Sequence, residues 1–283
     1  MGASPRVGQM GRTSPAALVP STSNIDLAHR DRILEFHAAD EPKRKVMLDG
    51  RAAQSRVIGC RITGFRSRAR ARYVAGNYKG KLVIATHNAG KLAEMRELLA
   101  PYGLAAIAAS ELGLPEPEET GASFISNAVI KARAAADSAK MPALADDSGL
   151  CVAALDDAPG INSARWAGPA RDFGAAMKKV EQALQAANAR PPFKAHFVSA
   201  LALAFPDGET QSFAGKVFGE LVFPPRGSLG FGYDPIFLPD GFSRTFGEMT
   251  GQEKHGIPAD GSPALSHRAR AFQAFARACL ANR

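Results

Sequence analysis

Two adjacent carboxylates, Asp146 and Asp147, are followed by Ser148 and Gly149 and lie between the apolar runs 141–145 and 150–155. That pattern predicts a strand, a tight turn and a second strand, with both acids at the turn. Neighbouring anions repel, so such a pair persists where a cation or a strong donor offsets it. Hard oxygen ligands at a strand end suit Mg²⁺, which takes one or two carboxylates and substrate phosphates while keeping most of its waters. One acid could hold the metal while the other deprotonates a water. An isolated Asp-Asp pair is more often a surface turn closed by Ser-Gly. Here its neighbours in the sequence point the other way.

The first neighbour is the segment that begins at Lys81. Leu82, Val83, Ile84 and Ala85 predict a short buried strand, and Thr86, His87, Asn88, Ala89, Gly90 and Lys91 predict a polar turn. Leu92, Met95, Leu98 and Leu99 then recur at helical spacing up to Pro101. Lys91 falls in the first turn of that helix, where unpaired N–H groups and the helix dipole favour an anion such as phosphate. The segment is not a Walker loop, because Ala85 and Leu92 stand where that pattern needs Gly and Ser or Thr. An ordinary polar strand-to-helix turn remains the competing reading.

Further elements present more candidates. Residues 104–108 predict a second strand, followed by an acidic loop holding Glu116, Glu118 and Glu119. A long helix is expected over residues 123–140, with Asn127 and Lys131 four apart on one face. Residues 160–168 are expected to form a loop. Asp172 is a plausible N-cap for a helix that presents Phe173, Met177, Val180 and Leu184. Two runs, 193–205 and 211–223, joined through Pro206, Asp207 and Gly208, predict an antiparallel hairpin. Residues 227–235 form a glycine-rich loop with Phe231 and Tyr233, which lacks the dinucleotide fingerprint. Aromatics there suit stacking on a base, although core packing beside turn glycines is commoner. Ser266 should cap a last helix whose Phe272, Phe275, Ala276, Cys279 and Leu280 share a face. His267 and Arg268 occupy its first turn, where a cation opposes the helix dipole. Their placement against the local field is a functional signal.

Composition sets the outer bounds. The 283 residues carry a net charge of +8 and are 46% hydrophobic, enough for a real core. Residues 1–81 hold 16 Lys and Arg against 6 Asp and Glu, whereas the remainder holds 19 against 21. The basic surplus therefore belongs to the N-terminal segment. Residues 1–78 lack sustained helical or strand periodicity, apart from a helical turn at 31–38, and are expected to be a disordered basic extension. In-frame upstream sequence is the first explanation, with a nucleic-acid arm or a targeting peptide as alternatives. Cys60, Cys151 and Cys279 are odd in number and without metal-type spacing, which favours a reduced, cytoplasmic setting. No apolar run reaches membrane-spanning length.

In order along the chain, these motifs resemble the dITP/XTP pyrophosphatase family, which includes inosine triphosphate pyrophosphatase. The resemblance spans residues 82–283 and rests on seven motifs. They are T-H-N-A-G-K at 86–91, E-E-T-G-A-S-F at 118–124, N-A-V-I-K-A at 127–132, A-D-D-S-G-L at 145–150, P-G-I-N-S-A-R-W-A-G at 159–168, G-F-G-Y-D-P-I-F at 230–237 and S-H-R at 266–268. The resemblance implies one domain over residues 79–283, with an elongated α/β fold. A long mixed sheet flanked by helices would form two lobes with the site in the cleft between them. It implies hydrolysis of 6-oxo purine nucleoside triphosphates (ITP, dITP, XTP) to the monophosphate and pyrophosphate with Mg²⁺, usually by a homodimer.

By the same resemblance, Thr86 through Lys91 would hold the triphosphate. Asp147 would be the base and bind Mg²⁺ with Glu118, or with its neighbour Glu119. Ser148 would touch the substrate, and Lys131 and Lys254 would reach phosphates. Phe231, Gly232, Tyr233 and Asp234 would line the base and sugar pocket, and His267 and Arg268 would read the base. Arg and protonated His are donors that match O6 and would face the amino group of adenine without an acceptor. A modified pyrimidine or standard nucleotide substrate is the competing enzyme reading. A nucleic-acid-binding protein using the Arg-rich arm is the competing class. The paired acids disfavour a phosphate backbone, so nucleic acid is expected only as a non-specific partner of the basic segment.

Overall fold

A computed structural model of the chain describes residue 78 and residues 80–280. The expectations for the basic segment, including the turn at 31–38 and Cys60, lie outside these residues. Tyr78 is the exception: it packs against the core, and its backbone N–H donates to Cys279 O at 3.5 Å.

Six strands make one mixed sheet in the order β2-β1-β3-β4-β5-β6. β1 (Lys81–Ile84) lies parallel to both β2 (Ala105–Ala108) and β3 (Ala143–Val152). β4 (Phe193–Ala204), β5 (Thr210–Leu221) and β6 (Phe237–Pro239) continue antiparallel. The expected α/β class and mixed sheet are what the fold has. β1 is in register with β3 at Val83 with Ala143 and Ile84 with Leu144. Beyond Leu144, β3 therefore leaves its parallel neighbour and continues against β4 alone.

The helices are α1 (Ala89–Leu99), α2 (Phe124–Ala139), α3 (Ser163–Trp166), α4 (Phe173–Ala186), α5 (Gly251–His255) and α6 (His267–Cys279). Their starts follow local chemistry. The side chains of Asn88, Ser123, Asp172, Thr250 and Ser266 each accept a first-turn backbone N–H, satisfying donors that a helix leaves unpaired. On one sheet face, Leu144, Leu201 and Phe213 pack with Met95 and Leu99 of α1 and Phe272 and Phe275 of α6. Further along that face, Leu150, Val152, Phe197 and Val217 pack with Val180 and Leu184 of α4. The opposite face is built of alanines: Ala143, Ala145, Ala200 and Ala202 meet Ala128, Ala132 and Ala136 of α2. Small residues on both sides bring α2 close to the sheet, which places Asn127 and Lys131 directly over β3.

The acid pair corrects the expected turn. Asp146 and Asp147 sit in the middle of the ten-residue β3, paired with Leu201 and Ala200 of β4. Successive strand residues point to opposite faces, so Asp146 turns toward α1 and α6 and Asp147 toward α2. Three smaller differences concern short elements. Residues 160–166 form helical turns rather than an open loop, and the glycine-rich loop ends in a turn at Asp234–Ile236. β6 and α5 complete the C-terminal region without a clear signal of their own. Short elements carry little periodicity.

Candidate active site

A cleft of about 970 Å³, counted with its open mouth, lies over the middle of β3 and is lined by residues from every sequence motif. Its floor holds the two acids in unlike surroundings. Asp146 is closed in by Lys91 at 3.0 Å, by Arg268 Nη2 at 3.1 Å and by the hydroxyls of Ser199 at 2.6 Å and Ser148 at 3.2 Å. Burial favours its neutral form, but Arg268 and Lys91 outweigh burial and hold the carboxyl well below its usual range. Asp146 is thus a fixed anion with its oxygens occupied. Burial also draws the Lys91 ammonium down, more than Asp146 restores, so Lys91 gains from a further anion.

Asp147 is the other kind of acid. Lys131 Nζ lies 3.0 Å from its Oδ1 and 2.8 Å from Glu119, and Asn127 Nδ2 donates to Oδ2 at 3.3 Å. Gly121 N–H donates to Asn127 Oδ1 at 2.8 Å, which fixes the amide. Burial pushes the Asp147 carboxyl up, and Glu119 adds to this against the pull of Lys131 and Lys91. A base whose pKa is moved toward the working pH is a better proton acceptor in a transition state. Lys131 is itself raised: burial lowers it, and Asp147 and Glu119 more than compensate.

The far end of the cleft is aromatic. Phe231, Tyr233, Phe246, Phe197 and Phe173 line it, with the buried pair Lys254–Asp234 at 2.8 Å. Phe231 N–H donates to Asp234, and Tyr233 OH donates to Ser163 O at 2.9 Å. A Cβ on Gly230 would collide with Asp234 Oδ2 and Lys254 Nζ, so glycine at φ +78 is what lets the loop close over that pair. His267 stacks on Phe197 with centroids 4.8 Å apart. Burial and the adjacent Arg268 hold its pKa well below the ordinary value, which disfavours the expected protonated donor. Its Nδ1 is buried without a hydrogen-bond partner and the ring lines the cleft. A buried orphan of this kind calls for a ligand or water.

Arg268, expected to read the base, is also held by several protein partners. It is buried at 2% exposure; it bonds Asp146 through Nε and Nη2, Ser148 through Nη2 at 2.9 Å, and Glu94 through Nη1. One Nη1 hydrogen is left. Glu94 also takes His255 Nε2 at 2.8 Å, and His255 Nδ1 meets Ser266 Oγ at 2.8 Å. Glu94, Ser199, His255 and Phe246 carried no motif signal. Glu94 could have been found from its i+3 spacing to Lys91 on one helix face.

The remaining expected residues sort clearly. Thr86, Asn88, Lys91, Lys131, Ser148, Phe231, Gly232, Tyr233, Asp234, Lys254, His267 and Arg268 line the cleft with Asp147. His87 does not: its ring meets Leu114 O at 3.1 Å in a separate small pocket. Ala89 and Gly90 form the first turn of α1 behind the lining. A Cβ on Gly90 would come within 2.8 Å of the Phe231 ring, so the glycine lets the two motifs touch. Glu118 is exposed and outside the cleft, whereas Glu119 lines it. Arg165 Nη2 anchors the loop by donating to Glu119 O at 3.0 Å.

Glu94 makes this network sensitive to acid. Burial alone would raise its carboxyl, but Arg268 and the His255 hydrogen bond hold it at about 2, below the ordinary 4.5. A depressed acid stabilises the fold above its unfolded pKa and loses that contribution as pH falls through the folded value. The contribution, on the order of 3 kcal/mol, should disappear between about pH 4.5 and pH 2. Urea melts at pH 5 and pH 3 should show a smaller pH dependence for Glu94→Gln than for the unmodified chain; equal slopes would remove Glu94 from the acid response.

A six-stranded mixed sheet with a cleft that holds buried cations, an acid pair and a cluster of aromatics defines a nucleotide-type hydrolase site. A profile of the Ham1 family matches residues 82–278, and the chain belongs to that family. A dITP/XTP pyrophosphatase of Rhodopseudomonas palustris is 64% identical over 204 residues, covering 71% of this chain and 97% of its own length. One from Brucella melitensis is 56% identical over 207 residues, covering 71% and 94%. Among solved structures, a HAM1 protein from Coxiella burnetii is 40% identical with a TM-score of 0.62, covering 70% of this chain and 96% of its own. The Staphylococcus aureus Ham1 protein is 34% identical with a TM-score of 0.56, covering 70% and 98%.

Proposed function

We propose that the chain is a nucleoside triphosphate pyrophosphatase acting on 6-oxo purine nucleotides of the dITP and XTP kind. The observation that carries this reading is the division of labour at the acid pair, with Asp146 locked among cations and Asp147 raised and facing Lys131 and Glu119. Water attacks the α-phosphorus, the bond to the β-phosphate oxygen breaks, and monophosphate and pyrophosphate leave. Asp147 takes the proton of that water. Lys91 offers the buried ammonium that gains most from an arriving phosphate, with Thr86 and Asn88 beside it. Lys131, within 3.0 Å of Asp147, orients the carboxylate and meets phosphate charge.

The donor set fits a hard divalent cation. Glu119 and Asp147 present two carboxylates to one shared Lys131 ammonium, so the place already tolerates one positive charge between them. Asp147 and Glu119 would hold Mg²⁺, which when bound lowers the pKa of coordinated water and offsets phosphate charge. At the aromatic end, the neutral His267 ring would donate from Nδ1 to O6 in one tautomer, with the spare Arg268 hydrogen alongside. Adenine would present an amino group to the Arg268 donor. Phe231 and Tyr233 enclose the base and sugar side, and Lys254, tied to Asp234, acts there rather than at the base catalyst. A cytoplasmic homodimer is the setting that accompanies this reading, and among the described residues no helix is long and apolar enough to cross a membrane.

A panel of ITP, dITP, XTP, ATP, GTP and a modified pyrimidine triphosphate, read as phosphate with and without added inorganic pyrophosphatase, tests the proposal. Phosphate should appear only with the coupling enzyme and with Mg²⁺, and ITP, dITP and XTP should exceed ATP at least tenfold in kcat/KM. Direct phosphate release, or preference for ATP or the pyrimidine, would overturn it.

A further inference from the structure

On the alanine-lined face of the sheet, beyond the end of α2, lies a second cluster of chemistry-bearing side chains. Cys151 of β3 and His196 of β4 are direct cross-strand partners, so their side chains share that face. The chain after β3 turns back over them. Ala158 N–H bonds Leu155 O at 2.9 Å, and both central residues are left-handed, Asp156 at φ 51 and Asp157 at φ 62. That is the conformation of a type I′ turn, which Asp tolerates better than most residues. The return is completed by a bridge between Cys151 and Pro159. A thiol, an imidazole and a carboxylate thereby converge, with one ligand atom of each within 4.8 Å of the others.

We propose that Cys151, Asp157 and His196 form a zinc-class metal site, separate from the catalytic cleft. A thiolate, an imidazole and one carboxylate suit a borderline-soft, four-coordinate ion, with water as the fourth ligand. Ligands around such an ion lie ~3.5 Å apart, and Asp157 is exposed on its turn, where its side chain is free to rotate. No hydrogen bond or ion pair among the described residues occupies these three side chains; His196 only lies against Phe218, with ring centroids 5.3 Å apart. Cys151 is 4% exposed, so its sulfur is shielded while His196 and Asp157 give a way in.

A nucleophilic Cys–His pair is the obvious rival. Burial, reinforced by Asp157 and partly opposed by Lys216 of β5, pushes the Cys151 thiol up to about 11; burial and Lys216 lower His196 against the pull of Asp157. Both groups are therefore neutral, the opposite of a thiolate–imidazolium pair. A metal ion would displace the thiol proton, so affinity should rise about tenfold per pH unit below the thiol pKa. The site lies four residues along β3 from Asp147, ~13 Å at strand rise. Between them, Gly149 packs against Gly160 O and Ser163, leaving no room for even a Cβ.

Cobalt(II) and zinc(II) are the probes, titrated into the full chain after chelation and reduction. One equivalent of cobalt should give a thiolate-to-metal charge-transfer band with visible bands of a four-coordinate ion, and zinc should bleach both. Cys151→Ser should abolish the thiolate band even though Cys60 and Cys279 remain. Asp157→Asn, on an exposed turn where folding is not at risk, should weaken binding at least about tenfold. Absence of the band, its persistence in Cys151→Ser, or unchanged affinity in Asp157→Asn would overturn the site. The readout is spectroscopic, so its failure is distinct from any failure of the pyrophosphatase reading.

Discussion

Asp147→Asn should fold, bind metal weakly and turn over nucleotide at least about a hundredfold more slowly. The substitution keeps the shape of the side chain and removes its charge. Asn has one acceptor oxygen, while Lys131 and Asn127 both donate to Asp147. One donor would lose its acceptor, at a cost of about 1–3 kcal/mol. That is a measurable loss of melting temperature but not of the fold. The decisive comparison is kcat at saturating Mg²⁺ with an unchanged circular dichroism spectrum. A folded Asp147→Asn protein retaining most of its turnover would exclude Asp147 as the base. Asp146→Asn should behave differently, because its effect arises through Lys91 and Arg268 rather than through proton transfer.

Arg268→Ala should be the most destabilising single change in the cleft. The guanidinium joins Asp146 to Glu94, and its removal leaves Glu94 buried with only His255 and Asp146 without one of its two cations. Breaking a buried ion pair from one side costs about 3–5 kcal/mol, or roughly 10 °C in Tm for a domain of this size. Activity should fall on every nucleotide, since Lys91 and His255 lose the neighbours that fix their own partners. Arg268→Lys should be intermediate, because it restores charge but not the planar fork. A selectivity defect in a protein of unchanged Tm would instead return Arg268 to base reading alone. The cleaner probe of base reading is His267→Phe, which keeps the stack on Phe197 and deletes Nδ1.

Much of this architecture was legible because it rests on local rules. Caps at Asp172 and Ser266 mark helix starts by a hydrogen bond that spans three residues, and the β4–β5 hairpin has its turn residues in place. The shared face of Asn127 and Lys131 follows from helix periodicity alone. The acid pair was harder, because Asp, Ser and Gly are turn formers in isolation. They enter a strand here only because Lys91, Lys131 and Arg268, distant in sequence, neutralise them. Arg268 shows the same limit from the other side. Its position was legible, but its bonds to Glu94 and Asp146 depend on how α1 and α6 pack. Glu94 and His255 carried no signal for that reason. Glu119 rather than Glu118 enters the cleft because an arginine 46 residues away anchors the loop.

The placement of both acids in one continuous strand also constrains how the chain can change length. A single residue gained or lost within β3 ahead of Asp146 would reverse the facing of everything after it. The acid meant for the cations would meet Lys131, and the one meant for water would be shut away against Arg268. Leu150 and Val152 would at the same stroke leave their apolar cluster. Insertions and deletions should therefore be tolerated in the connections at 187–192 and 256–263, and abolish folding or turnover between 143 and 152 even when every catalytic residue type is retained. A one-residue insertion scan scored for soluble expression and turnover would read this as a sharp trough over β3.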